Sequence, residues 1–427
     1  MKFSYLLIAL IATVAVAEKY AIVIGGADGW GNYSITSDPC RTWADLVAAG
    51  IKPENIIFMT YTSDLTYKEN PFPNMIFTDP ADNTDGDWVK YGCYEHVDYT
   101  NENINEDVFV GILTGDAEKV KAVTGIENPK VLAAGPEDTV FTYFIDHGDD
   151  GLIIIGDSYV SAITVMYAIE TAHEKQLYGK WFWAMEACHS GSMFVNLPSD
   201  WNIFVMTSAD SNHDAYMSNC PPDDIVAGRL FNTCLSGLWD NIYLDFYEQN
   251  QLITVGELCD SVHDLVEKES DQNVSQWGDM SIKNMKLSTF IGFPSHSLRH
   301  QHKQSGQVVS LSNVPAHIAM WKAIRAEDKK QLDSTLQEYQ QIVYENAKKE
   351  IEVMRLGRMI LNEKAADQAM KTSFSSYSTD CVRDLTLSLI KNCGHTIPFS
   401  SSATNLIRGI CRPGVSTPNV DFSSICL

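Results

Sequence analysis

Along the first two thirds of the chain, short apolar runs alternate with stretches of helical period. The runs at 19–24 (KYAIVI), 55–60 (NIIFMT), 139–145 (TVFTYFI), 152–155 (LIII), 181–185 (WFWAM) and 202–208 (NIFVMTS) show little polar alternation. That is the pattern of strands buried on both faces of a parallel sheet. Between them, residues 39–49 carry Trp43, Leu46 and Val47 on one face, with Asp38 as a cap and Gly50 as a stop. Residues 106–114, 117–123, 160–173, 224–247 and 255–268 read as further helices, and 285–292 as a closing strand. The alternation predicts an α/β fold, a doubly wound, mostly parallel sheet flanked by helices. Residues 61–104 are rich in Asp, Asn, Pro and Tyr, have little periodicity, and read as a long surface loop that shapes a cleft.

The pattern changes near residue 294. Residues 294–314 are rich in Ser, His and Gln and end before Pro315, which reads as an exposed linker. Residues 316–368 then have helical period with exposed Lys and Glu, and a four-cysteine stretch closes the chain. The expected organisation is a signal peptide at 1–17, an α/β catalytic domain at 18–294, a linker or activation segment at 295–318, and an all-α domain at 319–427. The leader is read from Lys2, an apolar middle, and the small residues before Ala17-Glu18. No later stretch is long and apolar enough to span a bilayer. The expected compartment is secretory, lysosome-like or vacuolar, or extracellular.

Charge sharpens this division. The net charge is −24, which argues against nucleic acid or an anionic membrane as partner. From residue 295 on there are 16 Lys and Arg against 12 Asp and Glu, a net of +4, leaving 15 basic and 43 acidic groups, a net of −28, on the first 294 residues. Unlike charges on two parts of one chain suggest that they dock. Ten cysteines fit an oxidising compartment, and Cys381, Cys393, Cys411 and Cys426 form an even set suited to two disulfides. No C-x-x-C pair appears, so neither a metal site nor a cofactor is expected. Asn32 and Asn273 each begin a glycosylation sequon.

Candidate chemistry lies in KWFWAMEACHSGSM at 180–193. A cysteine, Cys188, stands at the carboxyl lip of a buried strand, where open α/β sheets present reactive groups. The strand at 139–145 ends likewise in Asp146-His147-Gly148. If the two strands are neighbours, His147 and Cys188 emerge at one edge, as a thiol–imidazole pair requires. A lone buried cysteine is more often structural; the paired strand ends, together with the motif resemblance given below, reverse that weighing here. Cys188 is the candidate nucleophile and His147 the candidate base and acid. The Gly148 and Cys188 N–H groups are the candidate oxyanion hole.

Together with GGADGWGNY at 25–33 and LTGD at 113–116, these motifs resemble the legumains, asparaginyl endopeptidases of lysosomes and vacuoles. The resemblance covers nearly the whole chain after the leader. It implies a caspase-like catalytic domain and a C-terminal helical prodomain that covers the site, as an intramolecular inhibitor, until acid releases it. It also implies the disulfides Cys381–Cys411 and Cys393–Cys426. Asn32 takes the position that orients the histidine, which implies that its sequon is unmodified. Asp146 matches an aspartate that can close to a succinimide, an accessory to ligation. Glu186 matches an acid of the asparagine pocket, and Asp214 and Ala215 fall near a serine pair. Ser34 stands where an arginine is expected. Arg229 falls where an acid is expected, so it either supplies the donor from the opposite wall or changes the preference. Asn313 is the natural self-cleavage point, and Arg325 stands at the family position nearer the helix. The implied activity is a cysteine endopeptidase zymogen cutting peptide and protein substrates after Asn, or Asp. Alternatives are a peptide ligase using the same thioester, a legumain-like protein of changed specificity, and a storage protein with a dead site. A GPI-anchor transamidase, which shares the catalytic fold, is disfavoured because no C-terminal apolar span is seen.

Overall fold

The computed structural model describes residues 17–80, 86–250, 252–293, 306–416 and 420–427. All of the leader but its last residue lies outside these. In chain order the strands are β1 (Lys19–Gly25), β2 (Ile56–Met59), β3 (Thr139–Ile145), β4 (Gly148–Asp149), β5 (Leu152–Ile155), β6 (Ser158–Ser161), β7 (Lys180–Glu186), β8 (Ile203–Thr207), β9 (Tyr216–Cys220), β10 (Ile225–Val226), β11 (Arg229–Leu230), β12 (Ser236–Gly237), β13 (Ser275–Gly278) and β14 (Gln307–Ser310). The helices are α1 (Tyr33–Ala48), α2 (Glu106–Leu113), α3 (Ala117–Thr124), α4 (Ala162–Glu174), α5 (Leu238–Gln249), α6 (Val255–Glu269) and α7 (Ser288–Ile291). The tail adds α8 (Val314–Ile324), α9 (Lys329–Leu361), α10 (Glu363–Ala369), α11 (Thr379–Cys393) and α12 (Ser401–Ile410).

A six-stranded sheet of order β13-β8-β7-β3-β1-β2 forms the centre. Every pair in it is parallel except β13 against β8. Alternate residues of each strand feed two cores. Val23, Tyr143, Phe182 and Phe204 pack with α1, α5 and α6; Ile24, Phe144, Trp183 and Val205 pack with α2 and α4. This two-sided burial is why the strands read as unbroken apolar runs. In register, Thr139 pairs with Lys180 and Ile145 with Glu186, so β3 and β7 end together.

Several local expectations give way. Helix α1 begins six residues before Pro39, not at it. Its first polar turns are satisfied by tertiary partners: Ser37 Oγ donates to the Leu235 carbonyl at 2.8 Å. Asp38 is no cap; it is buried and accepts from Ser236 Oγ at 2.6 Å and the Gly237 N–H at 2.7 Å. Gly25 is required by this packing, since a Cβ there would meet the Ile35 carbonyl at 2.1 Å.

No helix spans 224–237. Ala227 and Gly228, both at positive φ, turn β10 into β11. The disulfide Cys220–Cys234 ties the loop's base. Residues 285–292 hold the short helix α7 in place of a strand, and β13 is the sheet's antiparallel edge. Residues 61–104 are not a plain surface loop: Phe72, Ile76 and Phe77 are buried with Trp30, Tyr33 and Phe231, and Cys40–Cys93 pins the segment to α1.

The start of the linker, 294–305, lies outside the described residues. Residues 307–310 are a strand, and Val309 and Leu311 are buried. The tail helices form their own core, closed by Cys381–Cys411 and Cys393–Cys426. Leu152 of β5 inserts into that core. Among the described residues no helix is long and apolar enough to cross a membrane.

Candidate active site

Strand register delivers His147 and Cys188, each two residues past the last β3–β7 pair, to one rim. The Asp146 N–H donates to the Glu186 carbonyl, extending the ladder by one step. The chains then touch directly: a Cβ on Gly148 would stand 2.5 Å from the Cys188 carbonyl oxygen. Only a residue without a side chain fits this approach.

The imidazole has a defined orientation. Asn32 Nδ2 donates to the Asp28 carbonyl at 2.7 Å, so its Oδ1 is the acceptor that faces His147 Nε2 at 3.0 Å. The proton is thereby assigned to Nε2. Nδ1 carries the lone pair and has no partner among the described residues. Burial, with Lys349 of α9 nearby, lowers the ring's pKa to about 4. Asn32 thus has both its amide oxygen and its amide nitrogen engaged. The other sequon residue, Asn273, also donates its amide, to Asp210 Oδ2 at 3.0 Å.

Cys188 is buried, and burial pushes its thiol well above the ordinary range, helped by the carboxylates of Asp214, Glu186 and Asp149. The Ala215 N–H, directed at the sulfur, opposes this. Cys188 and Cys259 are the free cysteines among the described residues. Asp146 is wholly buried and its carboxyl is raised by burial; Oδ1 accepts from the His147 N–H at 2.6 Å. Glu186 is buried beside Ser208 and Gln272, its carboxyl pushed up to about 8 by burial and by Asp38.

The remaining candidates are scattered. Ser34 is buried and its Oγ donates to Met217 Sδ at 3.0 Å. Ala215 lines the sulfur. Asp214, next in sequence, accepts from Ser310 and Ser312 at 2.6 and 2.7 Å. Arg229 does not stand on the opposite wall of the pocket. It lies on the exposed β10–β11 hairpin, where its guanidinium bonds the Pro71 carbonyl and covers the Phe72 ring. Asn313 sits at the N-terminus of α8 and lines a cavity of about 200 Å³ with Asn346, Lys349 and Glu350 of α9. Arg325 is not an exposed cutting point: it forms an ion pair of 2.7 Å with the fully buried Asp224.

The tail covers this rim through groups that sequence reasoning missed. Arg408 of α12 donates to Asp150 Oδ2 at 2.6 Å, to Asn212 Oδ1 at 2.7 Å and to the Ser211 carbonyl. Asp149 accepts from the Phe399 N–H at 2.8 Å and from Thr404 Oγ1 at 3.2 Å. The opposite charges of the two parts were visible beforehand; which residues meet was not, because Asp150 and Arg408 are 258 positions apart.

A free thiol and an oriented imidazole on the carboxyl rim of a parallel sheet are the parts of a cysteine hydrolase. Residues 19–293 match the peptidase C13 family. The chain is similar to a vacuolar-processing enzyme of Phaseolus vulgaris, 26% identical over 96% of this chain and 85% of that one. It is similar to a hemoglobinase of Schistosoma mansoni (32% identical, 74% and 71%) and a legumain of Mus musculus (29%, 76% and 72%). A solved caspase-1 from Spodoptera frugiperda overlaps with a TM-score of 0.38 at 10% identity, over 66% of this chain and 92% of that one. The chain belongs to the peptidase C13 family. It is a cysteine endopeptidase.

Proposed function

We propose that this chain is a latent endopeptidase of the secretory or vacuolar system, held shut by its own helical tail. Cys188 is the nucleophile and His147 the base. The thiol proton passes to Nδ1 as the sulfur attacks a peptide carbonyl. The Gly148 and Cys188 N–H groups hold the oxyanion. His147 then gives the proton to the leaving amine, and water, activated by the same ring, frees the acyl group from sulfur. The single observation that carries this reading is the Asn32–His147 bond, which leaves Nδ1 unbonded at the rim shared with Cys188. Asparagine before the scissile bond is what the resemblance supplies. The Ser34–Met217 contact and the position of Arg229 favour a second reading, a changed preference. An amine intercepting the same thioester would make the enzyme a ligase, with Asp146 an accessory; a product heavier by the added amine would identify it.

Latency is supported by two features. Burial disfavours both charged forms of the thiol–imidazole pair, and the Arg408–Asp150 pair clamps the tail to the rim. Acid release is best assigned to His147. Its docked pKa is below the ordinary imidazole value, so docking is strongest above about pH 6.5 and weakens as pH falls towards about 4. Asp149, raised by burial, works in the opposite direction, since acid favours its docked form. Protonation of Asp149 therefore does not release the tail. The test is to incubate full-length protein and Cys188→Ala at acid pH with a protein substrate and map every cut by mass spectrometry. Cutting by the Cys188→Ala form would refute the assignment.

A further inference from the structure

The linker, from residue 307 on, runs along the rim. β14 adds antiparallel to β9, with Val309 opposite Met217 and Ser310 opposite Tyr216. The pairing ends where the Leu311 N–H donates to the Ala215 carbonyl at 2.8 Å. Ala215 directs its own N–H at the Cys188 sulfur. The residue just ahead of β9 thus bridges the sulfur and an added chain, and strand addition of this kind is how extended peptides are held.

Side chains of the added strand alternate. Ser310 and Ser312 turn to Asp214. Val309 and Leu311 turn the other way, and Leu311, 2% exposed, is buried in one cluster with Cys188, Ala215 and Met217.

A second observation is what the walls of that cluster offer. The Ser34 hydroxyl is spent on the Met217 thioether. The Arg229 guanidinium is on the exposed hairpin. Glu186 Oε2 accepts from Gln272 Nε2 at 3.5 Å, while Oε1 is buried without a partner among the described residues. An amide side chain entering here would leave its carbonyl oxygen without the Ser34 hydroxyl or the Arg229 guanidinium as donor, whereas an aliphatic one needs neither.

We propose that the pocket beside Cys188 takes an apolar side chain, leucine or methionine, before the scissile bond, with Met217 as the specificity-determining residue. Residues 307–311 are then the chain's own substrate-like segment, and Leu311–Ser312 is the bond set nearest to attack. Residues 311–313 form a tight turn leading into α8, which holds that bond out of line while the tail is docked. This inference rests on the peptidase reading above.

The test uses full-length protein opened at about pH 4.5 and the ten-residue peptide 307–316, with Leu, Met, Asn or Ala at position 311. Cuts are located by mass and kcat/KM is measured. Leu and Met peptides should be cut after position 311 at least about tenfold faster than the Asn peptide. Met217→Ser should reduce that ratio by roughly fivefold or more. Preference for Asn, equal rates across the panel, or cutting after Asn313 instead would overturn the pocket assignment and leave the peptidase reading standing. No cutting of any peptide, together with no alkylation of Cys188 by iodoacetamide in the opened protein, would sink both.

Discussion

Removing the Arg408 guanidinium should open the enzyme at neutral pH. Arg408 and Asp150 are each 1% exposed at their side chains and 2.6 Å apart. In Arg408→Ala, Asp150 keeps only the Tyr377 hydroxyl, at 3.2 Å, on the tail side. Stripping one partner from a buried ion pair costs about 3–5 kcal/mol. At about 1.4 kcal/mol per tenfold, even the lower figure shifts the docking equilibrium roughly a hundredfold. Because Cys188 is fully covered when the tail is docked, alkylation by iodoacetamide at pH 7 reports the open fraction when opening is fast compared with reaction. Arg408→Ala should be alkylated at Cys188 roughly a hundredfold faster than the parent protein. The double variant with Asp150→Asn should recover part of the difference, because no buried charge is left unpaired. A folded Arg408→Ala protein alkylated as slowly as the parent would refute the assignment of Arg408 as the clamp.

Other outcomes follow from the same geometry. Protection of amides in α9 and α12, taken relative to the intrinsic exchange rate at each pH, should fall as pH drops from about 6.5 towards 4, and His147→Leu should shift that loss to lower pH; identical profiles would remove His147 from the switch. Asn32→Ala deletes the acceptor of Nε2–H, so kcat should fall roughly a hundredfold with KM little changed, and a change confined to KM would contradict an orienting role. Gly148→Ala sets a methyl 2.5 Å from the Cys188 carbonyl, so peptide hydrolysis should be lost while the tail's disulfides still form, which peptide mapping checks.

The sheet was legible where burial is two-sided. Residues 139–145 and 152–155 read as strands to the residue because nothing in those runs serves any other purpose. Pro39 misled because it is usually a helix's first residue, yet here tertiary hydrogen bonds to Ser37 and Asp38 carry the helix back to Tyr33. Residues 224–237 read as helix because their apolar spacing is ambiguous over so short a run; Ala227-Gly228 and the Cys220–Cys234 tie decide otherwise. Cys188, His147 and Asn32 were visible because each sits in a local motif. Arg229 was misplaced because a hairpin, whose direction no local pattern sets, carries it outward. The contact of Ser34 with Met217 joins residues 183 positions apart, which periodicity cannot report.

That β14 belongs to the same covalent chain as the strand it completes gives activation a direction. While tethered, such a segment competes for β9 at an effective concentration on the order of millimolar. Only a cut ahead of residue 307 would sever it from the catalytic domain and let dilution make it one weak peptide among many. After such a cut dilution keeps the segment from rebinding, and the newly bared strand edge passes to whatever extended polypeptide arrives next.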